Sequence, residues 1–178
     1  MKNDCEMPHM PQVQSGFTLV ELLLYVSISS ILLLVLSLFL SILLESRVKS
    51  QIIAEVDQQG AQVVQIITQA VRNATGVNIP VQGSSASTLS VSTYDAGLNP
   101  TVFDLSGGEI RMTEGVGSVV KLTNTRVTAN GLMLTNLSRT GTPGVIRIQF
   151  TLTYVNNSGR NEYNYTRTFY ASASLRQP

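Results

Sequence analysis

The chain has 178 residues, 43% hydrophobic and only 13% charged, with a formal net charge of +1. That size suits one membrane segment plus one modest domain, and the near-neutral balance lacks the basic excess of most nucleic-acid-binding domains. Cys5 and His9 are the only cysteine and histidine and both precede residue 16. A maturation step that removes the N-terminus therefore excludes a disulfide, a Cys or His nucleophile, a His general base and the usual zinc sites.

The first sixteen residues, MKNDCEMPHMPQVQSG, are polar and set Lys2 against Asp4 and Glu6. Charge next to the apolar run therefore does not fix a membrane orientation. Cys5 follows no apolar stretch, so it reads as an incidental residue and not as a lipid-attachment site. Residues 22–44 then run for 23 positions without a charge, interrupted only by Tyr25 and five serines. At 1.5 Å per residue they make roughly 35 Å of helix, enough for a hydrocarbon core of about 30 Å. A secretory signal has a shorter apolar region of about 7–15 residues.

Glu21 stands at the start of that run. A carboxylate inside a membrane costs up to a few kcal/mol near the centre and less near an end, and it calls for a partner. Two readings are open. The side chain can snorkel to water. Alternatively, if the chain begins at Phe17, Glu21 can neutralise the free amine of a neighbouring chain, at a helix end that also carries partial positive charge.

Residues 16–21, G-F-T-L-V-E, ahead of a long apolar helix and behind a short polar leader, resemble the processing site of type IV prepilins and type II secretion pseudopilins. The resemblance implies a leader of residues 1–16 and cleavage by a prepilin peptidase between Gly16 and Phe17. It also implies N-methylation of Phe17 and an assembly role for Glu21, which pairs with the N-terminus of an adjacent subunit. The implied partners are that peptidase, other pilins or pseudopilins, and an assembly platform protein with its ATPase. The implied location is the cytoplasmic (inner) membrane, crossed once by residues 17–44 with the C-terminal domain outside the cytoplasm, and afterwards a pilus or pseudopilus. Two features depart from the common pattern. Pro11-Gln-Val-Gln-Ser15 precedes the cut where Lys or Arg is often found, and no proline lies between residues 17 and 79.

Past the membrane segment, residues 45–74 read as an amphipathic continuation of the same helix. Ile53, Val56, Gly60, Val63, Ile67, Ala70 and Ala74 recur at steps of three and four. Glu55, Gln58, Gln62, Gln65 and Gln69 fall largely off that stripe. Asn73, Gly76 and Pro80 supply stop signals. Gly60 costs about 1 kcal/mol against Ala in a helix, and either lets the backbone approach a sheet closely or makes a mild bend.

Residues 75–178 read as a β domain, which the resemblance implies is extracytoplasmic. In 145–155, Ile146, Ile148, Phe150, Leu152 and Tyr154 alternate with polar residues, the pattern of a strand with one buried face. Its expected partner is 162–173, joined through Asn156-Asn-Ser-Gly159 as a hairpin. Asn130-Gly131 is expected to turn the chain between strands 126–129 and 132–137. Gly107-Gly108 is expected to separate 101–105 from 109–113, and 89–93 completes seven short strands. The expected fold is α+β, with a long N-terminal helix packed on an antiparallel multi-stranded domain. The layout resembles the larger minor pseudopilins, the J-type of type II secretion and the W-type of type IV pili.

The domain's acids, Asp95, Asp104, Glu109, Glu114 and Glu162, sit on separate strands or loops and suggest no acid–base pair. Asp95-Ala-Gly-Leu-Asn99 lacks the alternating oxygen ligands of a calcium loop and reads as a turn. No catalytic residue, cofactor or metal site is expected. The function expected is that of a non-enzymatic minor pilin or pseudopilin, with an initiating tip position implied by the resemblance. The alternative is a binding module for adhesion or DNA uptake on the same anchor.

Overall fold

A computed structural model of the protein describes Gly16, residues 18–141 and residues 144–176. By its contacts the chain divides into two units, residues 1–44 and 45–178. One helix, α1 (Leu19–Asn73), contributes to both.

In the first unit every described residue is exposed. The most apolar eighteen-residue window of α1 has a mean hydropathy of 2.6, and none of it is buried. A core helix of a soluble protein would be covered by its own fold. This one presents apolar side chains all round, which is the pattern of a membrane span. Three of its five serine hydroxyls are satisfied locally. Ser27 donates to the Leu23 carbonyl at 2.8 Å, Ser30 to Val26 at 2.8 Å and Ser41 to Ser37 at 3.1 Å. A hydroxyl bonded four residues back exposes no unsatisfied donor to lipid.

In the second unit, α1 carries the core stripe Ile52, Val56, Gln59, Gly60, Val63, Ile67 and Val71. Two of the expected stripe positions shift by one residue. Ile52 and Val71 are buried, while Ile53 and Ala70 are only half-buried, so the two ends of the stripe shift by one residue in opposite directions. The strands are β1 (Gly76–Ile79), β2 (Ser85–Ala86), β3 (Leu89–Ser92), β4 (Thr101–Ser106), β5 (Glu109–Glu114), β6 (Val120–Lys121), β7 (Val127–Asn136), β8 (Val145–Tyr154) and β9 (Thr166–Ser174). They form two antiparallel sheets, of order β1-β3-β4-β5-β6 and β2-β7-β8-β9. Leu89, Val91, Phe103 and Ile110 from the first sheet join Leu134, Ile146, Ile148, Phe150 and Leu152 from the second in one core with the helix stripe.

This is the expected α+β architecture, with nine described strands where seven were expected. Two expected strands merge into β7 and β1, β2 and β6 are additional, of which β2 and β6, at two residues each, are too short for alternation to reveal. The Asn130-Gly131 expectation is corrected. β7 runs straight through it, and the register against β8 slips between Asn130 and Met133. Asn130 faces Thr151 and Met133 faces Gln149, so three steps on β7 match two on β8. Gly131 has φ +63° and the extra residue is a β-bulge, which uses the same positive-φ glycine as a hairpin turn. The Gly107-Gly108 turn stands as expected, at φ +61° and +78°. The last strand starts later than expected, at Thr166, because Asn161–Tyr163 forms a single 3-10 turn.

Gly60 is a point of close approach. A Cβ built on it would overlap the ring of Phe169 on β9. That ring stacks on Phe150 at 5.3 Å between centroids and lies beneath the Arg167 guanidinium at 5.4 Å.

Candidate functional site

The N-terminal motif lies where α1 begins. Thr18 precedes the first helical residue, and its Oγ1 accepts from the Glu21 N–H at 3.3 Å while its carbonyl accepts from the Leu22 N–H at 3.2 Å. Thr-x-x-Glu is the capping-box pattern, in which the threonine satisfies one of the donors a helix start leaves open. Glu21 is exposed in the first turn, where negative charge favours the helix dipole. One turn on, the Tyr25 hydroxyl donates to Glu21 Oε1 at 3.4 Å. Gly16 is exposed, and a Cβ built there meets none of the described residues within 4 Å. Phe17 and residues 1–15 lie outside the described residues.

The motif places a carboxyl group at one end of an uncovered apolar helix, with no cation beside it among the hydrogen bonds and ion pairs of the described residues. A carboxylate so placed can accept hydrogen bonds from a donor outside the chain.

The amphipathic half of α1 is held to the sheets by two polar clasps. Glu55 receives the Asn124 side-chain amide and Arg126, each at 3.1 Å, and Gln59 at 3.4 Å. Gln59, buried in the stripe, accepts the Asn124 backbone N–H at 3.0 Å. Burial alone would raise the Glu55 pKa. The hydrogen bonds from Asn124 and Arg126, the Arg126 charge and the Gln59 amide outweigh it, and hold the carboxyl below its ordinary value. Asp57 pairs with Arg167 on β9 and accepts from the Tyr165 hydroxyl at 3.5 Å. The Asp57 hydrogen bond and charge raise the Arg167 pKa.

Three acids of the β domain are likewise held in ion pairs within the chain. Asp104 takes Arg111 in a two-pronged pair and Glu109 takes Lys121, while Glu162 takes Arg160. Asp95 Oδ1 accepts from the Gly97 N–H at 2.9 Å in the turn expected there. Among the described residues no group of three or more His, Cys, Asp or Glu side chains could hold a metal ion. The structure thus brings Thr18, Glu21 and Tyr25 together at the helix start, and it disperses the acids of the β domain. Thr18 and Tyr25 were not singled out from sequence, although Thr-x-x-Glu is a legible signal. Asp57 and Gln59 were also missed, because their partners lie 65 or more residues away.

Residues 12–37 match the family model described as the prokaryotic N-terminal methylation motif. The match covers the motif and residues 22–37 of the apolar run. No curated protein and no solved structure matches the chain.

Proposed function

We propose that this chain, a type IV pilin-like precursor by its N-terminal methylation motif, is a structural subunit that a prepilin peptidase processes and a membrane-associated machine assembles into a filament. The domain partition follows: residues 1–16 leave as leader, 17–44 anchor the chain in the inner membrane, and 45–74 tie that anchor to the β domain of 75–178. Cleavage falls between Gly16 and Phe17, and methylation at the Phe17 amine. The described residues place no steric demand for glycine at position 16, which fits a requirement set by another molecule. The C-terminal domain faces away from the cytoplasm. A platform protein and an ATPase drive assembly, and the strand-rich layout suits a minor subunit near the tip.

The observation that carries this reading is the uncovered apolar helix that starts with a lone carboxylate. In a filament, the helices of neighbouring subunits would cover it, and Glu21 would meet the neighbour's N-terminal amine. Substitution at Glu21 separates this role from helix capping, because a capping box accepts Gln as well as Glu. Glu21→Gln and Glu21→Ala are expected to be processed normally and to fail in assembly, measured as surface filament or pseudopilus recovery in the native host. Assembly of Glu21→Gln at the parental level would overturn the amine-pairing role.

The alternative reading, a nucleic-acid-capturing module, is less well supported. Arg111, Lys121, Arg126, Arg160 and Arg167 are all paired with acids of this chain, which leaves few cations for a phosphate backbone.

A further inference from the structure

A cleft of about 610 Å³ lies between the amphipathic half of α1 and the segment around β6. One wall is helical, and Gln51, Gln58 and Gln62 line it. The other is the end of a sheet, since β6 is the last strand of its order. Along this edge the Leu122 N–H donates to the Ile110 carbonyl of β5 at 2.8 Å. Strand alternation then turns the N–H and C=O of Lys121 away from β5, toward an open side.

The amides of Gln51, Gln58 and Gln62 have no hydrogen-bond partner among the described residues, whereas Gln59 beside them already binds a backbone N–H, that of Asn124. Each free amide offers two donors and an acceptor, the complement of a peptide bond. The charged groups at the cleft are neutralised within the chain, Lys121 by Glu109 and Glu55 by Arg126. A phosphate, a carboxylate or a cation would therefore find no unpaired counter-charge here. From Gln51 to Gln62 the helix rises roughly 16 Å, the span of about five extended residues.

We propose that this cleft binds an extended, uncharged peptide segment of a partner protein, which adds as a strand to the β6 edge while the helix glutamines bond its remaining backbone groups. Strand addition of this kind draws affinity from main-chain hydrogen bonds. The inference rests on the cleft and not on the filament reading.

The test uses the full-length protein in detergent and a bead-displayed library of capped random hexapeptides. The expected result is enrichment of peptides that bind at least tenfold more weakly to the Gln58→Ala/Gln62→Ala protein and to Lys121→Pro, which removes the outward N–H. Methylating alternate backbone nitrogens of an enriched peptide is expected to abolish its binding. Thermal unfolding of each variant shows that the fold persists, and Gln69→Ala, away from the cleft, is expected to bind as the parent does. Failure to enrich any peptide over the double glutamine variant would overturn the proposal, as would binding that tolerates backbone methylation.

Discussion

Replacing Gly60 by alanine pits two effects of opposite sign against each other. On helix propensity alone the substitution stabilises by about 1 kcal/mol. In this fold the new methyl group would meet the Phe169 ring, which Phe150 backs on one side and Arg167 covers. The ring cannot swing away without breaking that stack. Overpacking a well-filled core costs about 1–3 kcal/mol. The overlap is with the distal edge of the ring, and because the Phe150 stack and Arg167 hold that ring in place, the upper part of that range applies and the net expectation is a loss of about 1–2 kcal/mol. For a unit of this size that lowers Tm by about 4–8 °C. The assay is thermal unfolding of the full-length protein in detergent, followed by near-ultraviolet circular dichroism. Phe169→Leu combined with Gly60→Ala is expected to lose less than the sum of the two single changes, since the smaller side chain makes room for the methyl. A Gly60→Ala protein that is more stable than the parent would refute the close approach and leave Gly60 as a mere helix defect.

Phe150 is fully buried at the centre of the core, so Phe150→Ala is expected to cost about 3–5 kcal/mol in denaturant unfolding. Gly131→Ala, at φ +63° in the β7 bulge, is expected to destabilise by about 1–2 kcal/mol in the same assay, although the site is exposed. Glu55 gives a pH dependence with a definite sign. Its folded carboxyl lies below the ordinary value of 4.5, so the stability it supplies is complete above that pH and is lost as pH falls through the folded value. Glu55→Gln is expected to flatten that acid limb of the stability profile. Because Arg126 is largely exposed, the effect is expected to stay under about 1 kcal/mol.

The α+β class, the long helix and the alternating strand at β8 were legible because each rests on a periodicity many residues long. β2 and β6 were not, since two residues give alternation no room to register. Asn130-Gly131 misled for a physical reason. A positive-φ glycine after asparagine serves a hairpin turn and a strand bulge equally well, and only the pairing of 127–136 with 145–154 decides between them. Gly60 posed a question that sequence could state but not answer, because the answer is a ring contributed from 109 positions away. At the N-terminus the order Gly16, Phe17, Glu21 and an uncharged run is local, so the motif could be read in one pass. Thr18 as helix cap was readable by the same means. The clasps of Glu55 and Asp57 were not, since nothing near them in sequence names Arg126 or Arg167.

The central claim is that this chain enters the membrane as a precursor and is converted at Gly16–Phe17. It is tested most directly by intact mass and N-terminal sequencing of the membrane-extracted protein, made in cells with and without a prepilin peptidase. The expected product begins at Phe17 and carries an N-methyl group only when the peptidase is present. A chain that retains residues 1–16 in both backgrounds would contradict it, and Glu21 would then lose the amine it is proposed to meet.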